Sequence, residues 1–301
     1  MLEPKDLIIQ NGVLKFVGKE LTAVIIPDEV KAIEYKAFDN CTKLTSVVIP
    51  DSVTEIPNNA FEYCLNLASV VIPDSVTRIG ENAFLWCPKL TSIVIPGSVR
   101  FIGKKAFCDC GLTSIVVPEG VERIDTGAFS SCNKLVSAVI PESAAIWCSS
   151  AFDNCPSLTS VMLPAGMTMI GKNAFYKCCS LTSIVIPDTV SIIGACAFYE
   201  CIGLTSIVLP SKLKDIWENA FFCCSGLTSV VIPDGVTGIG DGAFANCTGL
   251  TSVVIPDSVE TIGKEAFMGC TNLTSIVLPE TAKVGRNAFK GCPRRKASKS
   301  R

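Results

Sequence analysis

Proline recurs along this chain with a period of 23. It stands at positions 27, 50, 73, 96, 118, 141, 164, 187, 210, 233, 256 and 279, with one interval of 22 where a residue is missing between Cys110 and Leu112. Phenylalanine keeps the same beat from Phe38 to Phe289, and cysteine follows three residues later from Cys41 to Cys292. Twelve coils thus cover residues 21–292. A fixed period of this length marks a stacked architecture, in which each repeat buries its apolar residues against its neighbours. The two globular domains that 301 residues would otherwise suggest give way to one solenoid.

The coil from Leu44 to Leu67 shows how the period folds. Leu44, Val47 and Ile49 have the spacing of strand residues that enter the coil, whereas Ser46 and Val48 point the other way. Pro50 ends the strand because it has no N–H for a ladder, and Asp51-Ser52 supplies turn chemistry. Val53 and Ile56 return inward through a second short extended segment, and Ala60-Phe61 and Cys64 close the coil in a turn of 3₁₀ type. No long helix fits this pattern.

Composition then removes whole classes of function. With 49% hydrophobic and 18% charged residues the chain is not disordered, and without a single histidine it has no Ser-His-Asp or Cys-His catalysis and no imidazole zinc ligand. The chain reads as a non-enzyme without cofactors. Arg294, Arg295, Lys296, Lys299 and Arg301 carry five of the positive charges, so a formal net charge of −2 becomes −7 over the rest. A basic groove for nucleic acid over the solenoid is therefore excluded. No run reaches the roughly 18 apolar residues of a membrane span, and Met1 to Gln10 shows no secretory signal.

The unit Leu250-Thr-Ser-Val-Val-Ile-Pro-Asp-Ser-Val-Glu-Thr-Ile-Gly-Lys-Glu-Ala-Phe-Met-Gly-Cys270 resembles the BspA-like leucine-rich repeat, a 23-residue class. The resemblance runs through all twelve coils. It implies a mainly β, right-handed superhelical solenoid, with a parallel sheet on a concave face and short strand or 3₁₀ segments on the convex side. It also implies a non-catalytic adhesion or protein-binding role, often at cell surfaces. The missing signal leaves an intracellular scaffold or regulatory module as the alternative. Coil six departs from the pattern with Ala144 and Trp147, and the last coil is one residue short before Ala288.

The two ends differ from the middle. Residues 1–20 read as a capping hairpin, because Asn11-Gly12 lies between two apolar runs and both residues accept positive φ. The hairpin is expected to cover the first open strand edge. Residues 293–301 form a basic tail, expected to be disordered, of the kind that serves as a localisation or modification patch.

Two surfaces are candidates for binding a protein or surface polymer, or a second copy of the chain. The first position after the repeat phenylalanine is mostly polar, yet it holds Tyr176, Tyr199 and Phe222 in coils seven to nine. Likewise, where other coils place Glu55, Arg78 and Arg123, coils six to eight place Ile146, Met169 and Ile192. Neither run is demanded by the repeat, and aromatic residues are common interface anchors. The second candidate is the concave face, where a serine row including Ser160, Ser183 and Ser206 lies beside an apolar row including Met162, Val185 and Val208. That row is either a contact surface or a set of β-branched neighbours that cover one another. The cysteines read as buried thiols, since 17 in 301 residues is below the ~8–10% of disulfide scaffolds. A redox or metal role falls to the cluster Cys178, Cys179, Cys196, Cys201, Cys223 and Cys224.

Overall fold

The computed structural model describes residues 6–144, the backbone of 146–147, and residues 149–293. Two compact units, Met1–Phe152 and Asp153–Arg301, each hold six of the repeat phenylalanines. Both are parallel β solenoids without a helix among the described residues, and their coils have three sides.

The strand side carries the Ser-Val-Val segments. In the first unit Ala23–Ile25, Ser46–Val48 and Ser69–Val71 run parallel, with Ser46 beside Ser69 and Val47 beside Val70. In the second, Ser229–Val231, Ser252–Val254 and Ser275–Val277 repeat the arrangement. Central residues turn inward and flanking ones outward, so that Val47 is 1% exposed and Val48 38%. The proline ends the ladder and its carbonyl closes a turn, accepting the Val53 N–H at Pro50 and the Val259 N–H at Pro256, both at 3.1 Å. The turn's serine joins coil to coil: Ser75 Oγ donates to the Val53 carbonyl at 2.6 Å and Ser258 Oγ to that of Val236 at 2.9 Å. Pro-Asp-Ser-Val is therefore a junction as well as a corner.

On the ribbon side, two-residue strands stack in register. Glu55–Ile56, Arg78–Ile79, Phe101–Ile102, Arg123–Ile124 and Ile146–Trp147 form one ribbon in the first unit. Met169–Ile170, Ile192–Ile193, Asp215–Ile216, Gly238–Ile239, Thr261–Ile262 and Lys283–Val284 form the ribbon of the second. A glycine commonly follows the inward isoleucine because the coils touch there: a Cβ on Gly80 would lie 2.5 Å from the Asn58 nitrogen.

The turn side carries Ala-Phe, and its geometry is richer than a 3₁₀ turn. The i→i−3 bonds of that turn are present, as from Ala60 N–H to the Pro57 carbonyl at 3.3 Å. Residues two before and two after each phenylalanine are left-handed, however: Asn59 and Tyr63 (φ 57° for both) flank Phe61, and Asn219 (53°) and Cys223 (57°) flank Phe221. The alternation of hand turns every second N–H toward the next coil. Phe61 N–H reaches the Ala83 carbonyl at 2.8 Å and Phe221 N–H the Ala243 carbonyl at 2.7 Å, and within each unit these bonds all run in the same direction. A left-handed non-glycine residue costs about 1–2 kcal/mol, which the extra ladder offsets. Inside, the phenylalanine rings stack at 4.6–5.6 Å in the first unit and 5.0–5.4 Å in the second.

At the start of the first unit, β1 (Leu7–Gln10) and β2 (Val13–Val17) form an antiparallel hairpin. Asn11 and Gly12 have φ of 51° and 73°. The hairpin does not join the strand side at its first strand, β3 (Ala23–Ile25). Instead β2 pairs in parallel with β4 (Ala32–Ile33) on the ribbon side, Leu14 beside Ile33. This placement brings Leu14 and Val17 over the end of the core, where both are fully buried.

Candidate functional site

Tyr176, Tyr199 and Phe222 stand one above another on the turn side of the second unit. Each N–H is held in its own turn, as from Tyr199 to the Cys196 carbonyl at 3.2 Å, and each carbonyl accepts from the preceding coil, as from Lys177 N–H to Tyr199 at 2.7 Å. With the backbone fixed on both counts, the side chains project outward. Their rings stack at 4.7 Å with interplanar angles of 14° and 7°, close to the coil spacing itself. All three are half-buried. Ion pairing borders the stack: Lys177 Nζ lies 5.4 Å from the Tyr176 ring centre and 3.8 Å from Glu200 Oε2. Burial pushes the Tyr199 hydroxyl and the Asp153 carboxyl above their ordinary pKa, with Lys177 acting the other way on Asp153.

Met169 and Ile192 are neighbours on the ribbon side, a different side of the coil from the aromatic stack. Met169 is exposed and Ile192 half-buried. Ile146 pairs with Arg123 on the ribbon of the first unit, and its side chain lies outside the described residues, as do the side chain of Trp147, all of Cys148 and the basic residues 294–301.

On the strand side, Ser160 and Met162 bound one strand, Ser160–Met162. Ser183, Val185, Ser206 and Val208 lie in segments without strand pairing, and Val185 and Val208 are 85% and 82% exposed. A shallow cleft of about 450 Å³ between Val208 and Val231 is floored by Ile207 and Val230.

Repeat cysteines point inward, and most donate to the phenylalanine carbonyl of the preceding coil, Cys87 to Phe61 at 3.2 Å and Cys247 to Phe221 at 3.0 Å, while Cys41, in the first coil, donates to the Val17 carbonyl of the hairpin at 3.9 Å. Burial pushes the thiol of Cys41 up to about 11 and that of Cys247 up to about 12. Cys179, Cys196 and Cys223 are half-buried, and burial raises them as well, so none is an activated thiolate. Among the described residues no group of three or more Cys, Asp or Glu side chains is placed to hold a metal ion.

Sequence reasoning missed one aromatic pair, Tyr63 and Trp86 in the first unit. Their rings are 6.2 Å apart at 25°, and both are exposed. They occupy the second position after the phenylalanine, which is left-handed, and two aromatics at that position in adjacent coils were the signal.

The model of the BspA type leucine rich repeat region matches in six copies over residues 11–136, 100–190 and 168–296. A leucine-rich repeat protein from Bacteroides ovatus is similar at 32% identity, with 93% of this chain and 87% of that one covered and a TM-score of 0.67. A leucine-rich repeat protein from Eubacterium ventriosum (20% identity, 96% and 92% covered, TM-score 0.57) and the pneumococcal vaccine antigen PcpA (19%, 92% and 89%, 0.60) share the fold. No curated protein matches the chain significantly. No helix among the described residues is long and apolar enough to cross a membrane.

Proposed function

The chain belongs to the BspA-type leucine-rich repeat family, and we propose that it is a non-catalytic solenoid that binds other proteins through the stripe Tyr176, Tyr199 and Phe222. Solenoids of this family typically serve protein interaction and adhesion, and are generally non-catalytic. One observation carries the assignment to the stripe: three aromatic rings occupy a position that holds no aromatic residue in the other nine coils, and they stack half-exposed at 4.7 Å. Rigid aromatic surface of this kind anchors protein interfaces at low entropic cost. The strand side is the second reading, favoured by the exposure of Val185 and Val208. Display at a cell surface belongs to the proposal at the family level.

The test replaces Tyr176, Tyr199 and Phe222 together with Ser. Losing two ring pairs should lower the unfolding free energy by no more than about 1–3 kcal/mol, while capture of surface proteins and self-association in sedimentation are both lost. A variant that folds and still binds as before moves the interface to the strand side, where Val185→Ser and Val208→Ser are the next pair to examine.

A further inference from the structure

The ribbon side of the second unit contains a notch that the repeat does not call for. Five of its six coils place glycine after the inward aliphatic residue, at Gly171, Gly194, Gly240, Gly263 and Gly285. The remaining coil places Trp217 there, 46% exposed. One coil further on, the outward ribbon position that holds Met169, Ile192, Asp215 and Thr261 elsewhere is Gly238, and its missing side chain leaves a gap. A Cβ built on Gly238 would sit 3.3 Å from Asp215 Oδ1 and 3.5 Å from Thr261 Oγ1, so two oxygens lean over the gap. Together with Glu218 and Asp241 these residues line a cavity of about 460 Å³.

Its chemistry has one sign. Asp215, Glu218 and Asp241 line it and no lysine or arginine does. Asp215 accepts from Thr237 Oγ1 at 3.5 Å and Asp241 from the Lys264 backbone N–H at 2.7 Å, and none of the three carboxylates is in an ion pair among the described residues. Trp217 has neither a stacked ring nor a cation over its face there. The carboxylates do not converge as metal ligands do. An aromatic wall, an open floor and uncompensated negative charge spread over a cavity of this size suit an organic cation: the indole face takes a flat guanidinium, and the carboxylates take its N–H groups. A neutral sugar would use the tryptophan but leave the charge unanswered.

We propose that the Trp217–Gly238 notch binds an arginine side chain, and by the same chemistry a lysine more weakly, presented by a protein partner. The partner's being a protein rests on the reading above; the notch itself does not depend on the aromatic stripe.

The probe is the capped peptide Gly-Ser-Arg-Ser-Gly, titrated by calorimetry and by the indole N–H signals in NMR, beside the same peptide with citrulline for arginine and beside maltose. The arginine peptide should bind and weaken with added salt, and citrulline should lose at least about 10-fold because it keeps the shape without the charge. Gly238→Val fills the notch at a position where the nearest atom to a Cβ is the end of the Asp215 side chain, at 3.3 Å, which has only to turn aside by a few tenths of an ångström, and should abolish binding with the fold kept, as circular dichroism shows. Trp217→Gly, which restores the repeat residue, should cost about 5-fold. The Tyr176/Tyr199/Phe222 triple variant should bind the peptide as the parent does, so failure of the stripe and failure of the notch are distinguishable. Equal binding of the citrulline peptide, unaltered binding by Gly238→Val, preference for maltose, or no binding of the arginine peptide would each overturn the proposal.

Discussion

The first and last coils carry the same pattern of residues and meet opposite fates. In the first, Ile33, Ala37 and Phe38 are buried, Phe38 completely. In the last, Val284 is 49% exposed, and Leu278, Phe289 and Cys292 are half-buried. Side-chain direction is the same at both ends, so burial here is not a property of the repeat but of having a neighbour on each side. The β1–β2 hairpin is the first coil's extra neighbour, and among the described residues the last coil has none. Backbone polarity sharpens the contrast. Because the turn-side ladder of each unit runs in one direction, the first coil offers carbonyls outward and the last coil offers N–H groups. The hairpin meets the carbonyls, Val17 N–H bonding Ala37 at 3.1 Å and Lys19 Nζ bonding Asp39 at 3.2 Å.

If neighbours decide burial, identical substitutions must cost different amounts along one ladder. Phe221 is stacked on both faces, at 5.2 and 5.0 Å, whereas Phe289 stacks on Phe267 at 5.3 Å and, among the described residues, has no further coil beyond it. Phe221→Ala should lower the unfolding free energy by about 3–5 kcal/mol, and Phe289→Ala by about 1–2 kcal/mol. Urea melts followed by circular dichroism measure both. Equal losses would mean that the last coil is covered as well as an interior one, and the comparison would fail.

The same contrast was only partly legible in the sequence. Pro, Phe and Cys at a period of 23 give the coil, its corners and its inward residues, because each is a demand of local geometry or packing. The hairpin was legible from Asn11-Gly12, but its docking on β4 instead of β3 was not, since both edges are short apolar strands and only the packing of Leu14 and Val17 over the core chooses between them. The left-handed residues of the turn side were hidden for a related reason. Asparagine and glycine hold half of those positions, but Trp86, Lys177, Glu200 and Cys223 hold others, so the conformation is imposed by the ladder and not announced by residue type. The aromatic stripe was visible as a departure from the repeat. Trp217 and Gly238 depart just as clearly, but a missing side chain draws attention only once its neighbours are seen to lean over it.

Enclosure has a second consequence, in the thiols. Cys41, in the first coil under the hairpin, is held up to about 11 and Cys247, inside the second unit, up to about 12, in both cases chiefly by burial. An unfolded thiol loses its proton near pH 8.5, so between that pH and the folded value the unfolded chain binds fewer protons than the folded one. Stability from these thiols is therefore complete below about pH 8.5 and falls as pH rises, by about 1.4 kcal/mol per pH unit for one enclosed thiol such as Cys247. Cys247→Ser, which does not titrate there, should flatten the fall between pH 8.5 and 10 by about that amount. Parallel pH profiles for parent and variant would show that Cys247 ionises within the folded coil and that its burial is not what the packing indicates.

The smallest effect belongs to Lys19, and it isolates the polar half of the comparison from the apolar half. Aligned peptide units leave partial negative charge on the carbonyl end of a ladder, as they do at the C-terminus of a helix, and a cation placed there gains about 0.3–1 kcal/mol at low ionic strength. Lys19 is exposed and its ammonium reaches the Asp39 carbonyl, so Lys19→Met should cost that much in dilute buffer and almost nothing in 1 M salt, where charges interact over about 3 Å. Lys43 supplies the control: it pairs with Glu20 nearby and, among the described residues, donates to no ladder carbonyl. An exposed pair of that kind contributes about 0–1 kcal/mol, but Lys43→Met leaves the carbonyl end as it was. Hydrogen exchange at the Val17 amide, which bonds the neighbouring carbonyl of the same edge, separates the two variants, because only Lys19→Met should speed it. If both variants change exchange there equally, Lys19 acts as one surface charge among others, and the hairpin closes this end through Leu14, Val17 and its backbone alone.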